Sequence, residues 1–209
     1  MVDIVKQMAS DPESTFSSVG FVPGTGASGV NQVFGSGSCG IKSTQVSSGI
    51  YQLDPDFSSR GHYFFPYGVY KQPIPVHVQF GQPDGTAVFT APMNGCSLQV
   101  NKCNSYFTFY HDAMSESMSG TEPGEIVCRV GPKDYDKLDL GQKEVVGLRA
   151  TKFGGTYGVG VFTIHHQGRW KVYTSFVSFG YDKSGNINPS TAKRSTTATS
   201  NLITSFADG

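Results

Sequence analysis

Charged side chains are scarce in this chain, and neither sign predominates. Asp, Glu, Lys and Arg make up 15% of the 209 residues, and the formal net charge is +0. A helical bundle or a coiled coil needs more Lys and Glu on its solvated faces, so both classes are disfavoured. Because there is no basic excess to bind phosphates, a nucleic-acid partner is not expected.

Long apolar runs and metal-binding motifs are also missing. No run is long enough to span a bilayer, and the N-terminal residues lack the basic-then-apolar pattern of a secretory signal. The five histidines have no metal-site spacing, and no Cys-x-x-Cys occurs. We therefore expect no membrane span, no metal or other cofactor, and free thiols at Cys39, Cys96, Cys103 and Cys128.

Glycine, proline and aromatic residues are plentiful instead. The chain has 26 Gly and 11 Pro, and 12% of its residues are aromatic. Between these turn-forming residues, apolar and polar side chains alternate over short stretches, which is typical of β-strands. The pattern predicts one β-rich domain over residues 1–209, of class α/β (β-rich α+β), with little helix.

The same pattern locates the individual elements. A short helix is predicted at 2–8 and should end at Asp11-Pro12. Residues 145–153 fit either a strand or a short helix, and 186–200 is predicted to be loop, with Leu202 and Ile203 docking back. Within 17–49, short strands joined by glycine turns are favoured over a low-complexity linker. Strands are also predicted at 64–67, 76–80 (where two prolines make the start an edge or an entry), 125–130, 158–164 and 169–179, the last two as a hairpin about Gln167-Gly168.

A further hairpin is predicted from 96–101 and 106–111. An antiparallel turn centred between Cys103 and Asn104 places Cys96 opposite His111, and Leu98 and Val100 opposite the two intervening phenylalanines. One face of this hairpin is apolar and the other mostly polar, so we expect it to be half-buried. A slip of one residue would mix the faces, whereas a slip of two would preserve them.

The pairing of Cys96 with His111 would bring a thiol next to an imidazole. A thiol is a weak nucleophile until a neighbouring base takes its proton or stabilises the thiolate. Gly95 removes a side chain beside the sulfur and would let backbone N–H groups approach a developing oxyanion. The pair therefore indicates a candidate nucleophile and base. By contrast, His165-His166 is interpreted as the end of a hairpin rather than a second site.

The stretch Phe89-Thr90-Ala91-Pro92-Met93-Asn94-Gly95-Cys96, followed by a strand ending in His111-Asp112, resembles a known motif. It is similar to the cysteine-histidine glutamine deamidases of the cytotoxic necrotizing factor and Burkholderia lethal factor group. Their Leu-Ser-Gly-Cys corresponds here to Met93-Asn94-Gly95-Cys96, with Met for Leu and Asn for Ser. Thr90 keeps the offset of a threonine that belongs to the lethal-factor site.

The resemblance implies a fold and a site. The fold would be a sandwich of two mixed β-sheets surrounded by short helices and loops. Cys96 would be the nucleophile, His111 the general base, and Thr90 the group that orients the imidazole through its side chain or its main chain. Gly95 and Asn94 would supply backbone support for the oxyanion.

The resemblance also implies an activity and a setting. The chain would deamidate a glutamine of a host protein to glutamate, releasing ammonia, without a cofactor. By family precedent the partner would be a Rho-type GTPase or an RNA helicase of translation initiation. The protein would be a monomeric bacterial toxin or effector, made in the bacterial cytoplasm without a recognisable signal peptide and then exported or injected into the host cytosol.

Two alternatives come from other functional classes. One is a different Cys-His hydrolase, such as a peptidase, although those enzymes usually carry the cysteine at the start of a helix. The other is a β-sandwich binding module without catalytic activity, in which Cys96 would be inert. The reactivity of the Cys96 thiol separates the module from both enzymes.

Overall fold

The chain is described by a computed structural model. It describes residues 3–24, 35–66, 73–93, 95–112, 115, 118, 120, 122–135, 159–175, 177–181, 187–194 and 202–209. The predictions for 145–153 and for Asn94 therefore lie outside the described residues.

Within these ranges the elements are short, and most of them are strands. The helices are α1 Ile4–Ser10, α2 Pro12–Ser18 and α3 Pro132–Tyr135. The strands are β1 Gly20–Pro23, β2 Gly37–Ser47, β3 Ile50–Asp56, β4 His62–Phe65, β5 Val76–Gln79, β6 Ala87–Thr90, β7 Ser97–Lys102, β8 Tyr106–Asp112, β9 Glu125–Val130, β10 Gly160–His166, β11 Arg169–Ser175, β12 Val177–Tyr181, β13 Ile187–Arg194 and β14 Leu202–Ala207.

The strands form one large sheet, one small sheet and one separate pair. The large sheet has the order β1-β3-β2-β4-β6-β10-β11-β14, and the small sheet has the order β5-β8-β7-β9. The large sheet is mixed, because β1 pairs with β3 and β4 with β6 in parallel. The small sheet is antiparallel throughout, and β12 pairs with β13 alone.

The two larger sheets pack face to face over an apolar core. Alternation along each strand sends one set of side chains inward. Val88 and Val161 of the large sheet and Val100 and Phe109 of the small sheet all belong to one buried cluster. Trp170 lies in the same cluster, fully buried against Phe109. This cluster is what fixes the small sheet against the large one.

Two short helices cover the opposite face of the large sheet. Asp3 and Asp11 cap the first turns of α1 and α2, each through a carboxylate that accepts backbone N–H bonds. Their apolar side chains, including Met8 and Phe16, join a second buried cluster. Phe16 stacks on Tyr173 of β11, with ring centroids 4.7 Å apart.

The β-rich sandwich expected from the sequence is confirmed, and the differences are local. Pro12 does not simply end the first helix, because it starts a second one at the first helical position, where its missing N–H has no cost. The loop predicted at 186–200 is wrong over 187–194, which is β13. Its Ser/Thr-rich composition concealed a strand that is defined by pairing with β12.

The hairpin predicted about Gln167-Gly168 is present as β10–β11, but the strand predicted at 169–179 is divided, because β11 ends at Ser175 and Val177 begins β12 of the separate pair. Its turn residues Gln167 and Gly168 have φ of 54° and 69°. Positive φ at both central residues is the geometry of a type I′ turn, whose twist suits a two-residue hairpin. No helix among the described residues is both long enough and apolar enough to cross a membrane.

The intersheet cluster predicts a large stability effect at Phe107, which is fully buried between Phe80 and Phe206. We expect Phe107→Ala to lower the free energy of unfolding by about 3–5 kcal/mol, because it leaves a cavity between the sheets. Urea unfolding measures this. Ile126→Ala, at a side chain that is 51% exposed, should cost less than about 1 kcal/mol. Equal losses would contradict the packing described here.

Candidate active site

The β7–β8 hairpin is shifted by two residues from the predicted register. His111 lies opposite Leu98, and Val100 lies opposite Phe109. The predicted direct pairing of Cys96 with His111 is therefore wrong. The turn is centred between Asn104 and Ser105, because Cys103 N–H bonds to the carbonyl of Tyr106. The alternation of apolar and polar residues fixes the faces but tolerates a slip of two, so local turn geometry decided the register.

The shift keeps Cys96 and His111 on the same face of the small sheet. Cys96 directly precedes β7 and packs against the intersheet cluster, on the side of Leu98. His111 also faces inward, since its ring reaches a residue of the large sheet. In this register Cys96 lies diagonal to His111, and diagonal cross-strand neighbours remain within reach of an aromatic-sized side chain.

His111 is held across the gap between the sheets. Its Nδ1 lies 2.8 Å from Thr90 Oγ1, in a buried hydrogen bond between β8 and β6. His111 and Thr90 are each only 1% exposed. The sequence left open whether Thr90 acts through its side chain or its main chain. The contact with the imidazole is made by the side-chain hydroxyl.

Burial makes the neutral imidazole the stable form. Desolvation lowers the pKa of His111 from 6.5 to about 4, and the charge of Asp112 opposes this only in part. At neutral pH the ring therefore carries one proton. When Nδ1–H donates to Thr90, Nε2 is the basic nitrogen that would accept a proton from Cys96.

The turn before Cys96 depends on Gly95. Its φ is +78°, which is left-handed backbone that suits glycine. Gly95 is therefore required for chain conformation, and its expected effect on the space beside the sulfur stays a prediction. Two residues before Gly95, Met93 is fully buried and forms two backbone hydrogen bonds with Val159. These bonds anchor the chain where it crosses from β6 to β7.

The outer face of the hairpin is buried as well, so the expected half-buried hairpin is wrong. Ser97, Gln99 and Asn101 are each at most 2% exposed. Asn101 Nδ2 donates to the carbonyl of Pro123 at 3.1 Å. Pro123 thus lies against the polar face and satisfies part of it by a hydrogen bond, which no alternation pattern in the hairpin reveals.

Sequence reasoning missed a polar network beside the candidate pair. Asp112 is fully buried, and Arg129 Nη2 of β9 donates to its carboxylate at 3.1 Å. The same Nη2 donates to the carbonyl of Ser115 at 3.1 Å. Ser115 Oγ in turn donates to the carbonyl of Gly95 at 2.9 Å. The available signal was strand parity, which places Asp112 and Arg129 on one face of the small sheet.

The other three cysteines have different environments. Cys39 and Cys128 are buried, and desolvation raises the pKa of each thiol to about 12. Cys103 is partly exposed at the turn end of β8, with Sγ 3.7 Å from the carbonyl of Pro123. It lies at the opposite end of β8 from His111, whereas Cys96 is partly exposed and packs on the face to which His111 points.

The candidate site coincides neither with a group of metal-ligand side chains among the described residues nor with the described cavity. Within the described part of the chain, no three His, Cys, Asp or Glu side chains are grouped to hold a metal ion. A cavity of about 450 Å³ is lined by His62, Tyr63 and Asp84, and by Thr86 directly before β6. Thr90 ends the same strand, so this cavity lies at the far end of the sandwich.

The low pKa of His111 predicts how stability depends on pH. The unfolded chain binds a proton near pH 6.5 that folded His111 binds only near pH 4. The contribution of neutral His111 to the free energy of unfolding is therefore complete above about pH 6.5, and it is lost as the pH falls towards 4. Between pH 7 and 4.5 this histidine should account for about 2 kcal/mol of the fall in unfolding free energy.

Urea unfolding of His111→Gln measures that contribution. The variant should lose less stability than the wild type between pH 7 and 4.5, whatever its absolute stability. His77→Gln replaces an exposed histidine of β5 and should retain the wild-type dependence. A wild-type dependence in His111→Gln would contradict a buried neutral imidazole.

Comparison of the chain with protein-family models and with curated proteins gives no match. The family resemblance drawn from the motif around Cys96 therefore stays a prediction. The hydrogen bonds, burial and strand geometry around His111 are the basis for a proposed function.

Proposed function

We propose that this protein is a cysteine-dependent protein-glutamine deamidase. The observation that carries the proposal is the buried hydrogen bond between Thr90 Oγ1 and His111 Nδ1. It holds a neutral imidazole on the face of the small sheet where Cys96 packs. An oriented neutral base beside a partly exposed thiol is the arrangement that nucleophilic catalysis by cysteine requires.

The first half of the reaction forms a thioester. His111 Nε2 takes the proton of the Cys96 thiol as sulfur attacks the carboxamide carbon of a substrate glutamine. The C=O electron pair moves to oxygen, and backbone N–H groups at Gly95 and Cys96 stabilise the oxyanion. When the C=O bond reforms, the C–N bond breaks and imidazolium protonates the leaving amine, so that ammonia departs.

The second half returns the enzyme. His111, neutral again, takes a proton from a water molecule as the water oxygen attacks the thioester carbon. The C–S bond then breaks, and the imidazolium proton returns to sulfur. The product is glutamate, which adds one negative charge to the target protein. At pH 7 the neutral ring is available to accept a proton in each step, and the low pKa of His111 makes its protonated form a strong acid towards the leaving groups.

The site argues against the two alternatives to different degrees. Papain-type peptidases place the cysteine at a helix start, whereas Cys96 leads into strand β7. A binding module would not need a buried histidine whose ring is fixed by a threonine hydroxyl. The substrate is proposed to be a host protein, such as a Rho-type GTPase or a translation-initiation helicase, on the strength of the sequence resemblance.

Glutamine conversion in a eukaryotic lysate tests the activity directly. Wild-type protein should convert at least one glutamine to glutamate, which mass spectrometry detects as a +1 Da change with loss of ammonia. Cys96→Ser should leave that residue unchanged, because it lacks the thiolate. Cys103→Ser serves as the matched control and should retain conversion. If wild type and Cys96→Ser give identical lysates, the deamidase proposal fails.

Thiol labelling tests the reactive pair without any substrate. Iodoacetamide at pH 7 should modify Cys96 first and leave Cys39 and Cys128 unmodified, since burial raises the pKa of both. Peptide mapping locates the label. In His111→Ala the rate at Cys96 should fall by at least about tenfold. Uniform labelling of the exposed thiols, unaffected by His111→Ala, would favour the binding module.

The hydroxyl of Thr90 predicts a graded effect on turnover. Thr90→Val keeps the side-chain shape but loses the hydrogen bond to His111, and we expect kcat to fall by about 10–100-fold. Thr90→Ser keeps the hydroxyl and should retain most of the activity. Steady-state assays on the converted glutamine measure both variants. Equal losses in the two would show that the threonine hydroxyl does not orient the ring.

A further inference from the structure

Ser115 has an unusual backbone conformation next to the candidate nucleophile. Its φ is +58°, which for a residue with a side chain lies in the sparsely populated left-handed region. Such a conformation costs free energy and persists when surrounding contacts impose it. Serine does not favour this conformation, so contacts with neighbouring residues must impose it.

Two hydrogen bonds hold Ser115 in place, and they connect different parts of the site. Arg129 donates to its carbonyl at 3.1 Å, with the same Nη2 that binds buried Asp112. The Ser115 hydroxyl donates to the carbonyl of Gly95 at 2.9 Å. A chain of contacts therefore runs from β9 to the peptide group that immediately precedes Cys96.

Holding that carbonyl also orients the N–H of Cys96. The peptide bond between Gly95 and Cys96 is planar and trans, since the described chain has no cis peptide. In a trans peptide the carbonyl and the N–H point in opposite directions. With the carbonyl fixed on Ser115, the Cys96 N–H is directed to the other side of the turn. Because Gly95 has no Cβ, this peptide group would otherwise be easy to rotate.

We propose that Ser115, braced by Arg129, is a positioning residue that fixes the Gly95–Cys96 peptide so that the Cys96 N–H donates to the oxyanion. This inference rests on the proposed role of Cys96 as an acyl-transfer nucleophile. It adds a residue outside the Cys-His-Thr set and assigns the strained backbone a function. A preoriented donor stabilises the tetrahedral oxyanion without having to reorganise during the reaction.

Two reagents separate this role from simple support of the thiol. Iodoacetamide alkylates Cys96 by displacing iodide from a saturated carbon, so no oxyanion forms. With p-nitrophenyl acetate, sulfur adds to the carbonyl carbon and the C=O pair becomes an oxyanion. The C=O bond then reforms as p-nitrophenolate leaves, and a thioester remains. Only the second reaction uses the proposed donor.

Both rates are measured at Cys96 in a Cys103→Ser background, which removes the other partly exposed thiol. Ser115→Gly deletes the hydroxyl and tolerates the positive φ, so it adds no backbone strain. We expect acylation to fall by about 10–100-fold, with alkylation within about twofold. Ser115→Asn tolerates the same φ and carries an N–H donor, so it should recover part of the acylation rate. Ser105→Gly, in the β7–β8 turn, is the matched control and should change neither rate.

Each result bears on a different claim. Equal falls in acylation and alkylation, or no fall in acylation, would overturn the role of Ser115. A selective fall in acylation supports it even if no glutamine is converted in a lysate, in which case the deamidase proposal fails by itself. Glutamine conversion with an unaffected Ser115→Gly variant would keep the deamidase and reject the positioning residue.

Discussion

The hydrogen bond between Thr90 and His111 is the interaction on which the candidate site depends, because it joins the two sheets of the sandwich. Thr90 ends a strand of the large sheet, and His111 lies near the end of a strand of the small sheet. The bond forms only if the apolar cluster sets the right spacing between the sheets. Packing of residues such as Phe109 and Trp170 therefore determines where the imidazole lies.

The same burial that fixes the ring also sets its chemistry. Protonating a histidine in the low-dielectric gap between the sheets is energetically unfavourable, so the neutral base is the resting form. Asp112 moderates the effect, and Arg129 compensates the buried carboxylate. Catalytic use of the ring would create a transient imidazolium beside that carboxylate. Asp112 thus stabilises the charged state without holding it permanently.

Much of this arrangement could be predicted from the sequence. Alternation identified the small-sheet strands and their inward faces, and the offset of Thr90 from Cys96 pointed to the residue that contacts the imidazole. The register could not be predicted, since Leu98 and Val100 are interchangeable under a slip of two residues. Ser115 could not be predicted either, because its hydroxyl reaches Gly95 by a tertiary contact and not by strand pairing. For Arg129, strand parity gave the face that it shares with Asp112 but not the ion pair. Strand β13 was missed because its residues have low β-propensity and pairing with β12 overrides it.

The proposed chemistry requires His111 to be a neutral base at Nε2, held through its Nδ1–H by Thr90. Nitrogen-15 NMR of the imidazole at pH 7 tests it most directly, since a protonated and an unprotonated ring nitrogen resonate far apart. For a neutral His111 held by Thr90 we expect a protonated Nδ1 and an unprotonated Nε2, with the Nδ1 signal displaced in Thr90→Val. An imidazolium at pH 7, or a ring protonated at Nε2 alone, would rule this arrangement out.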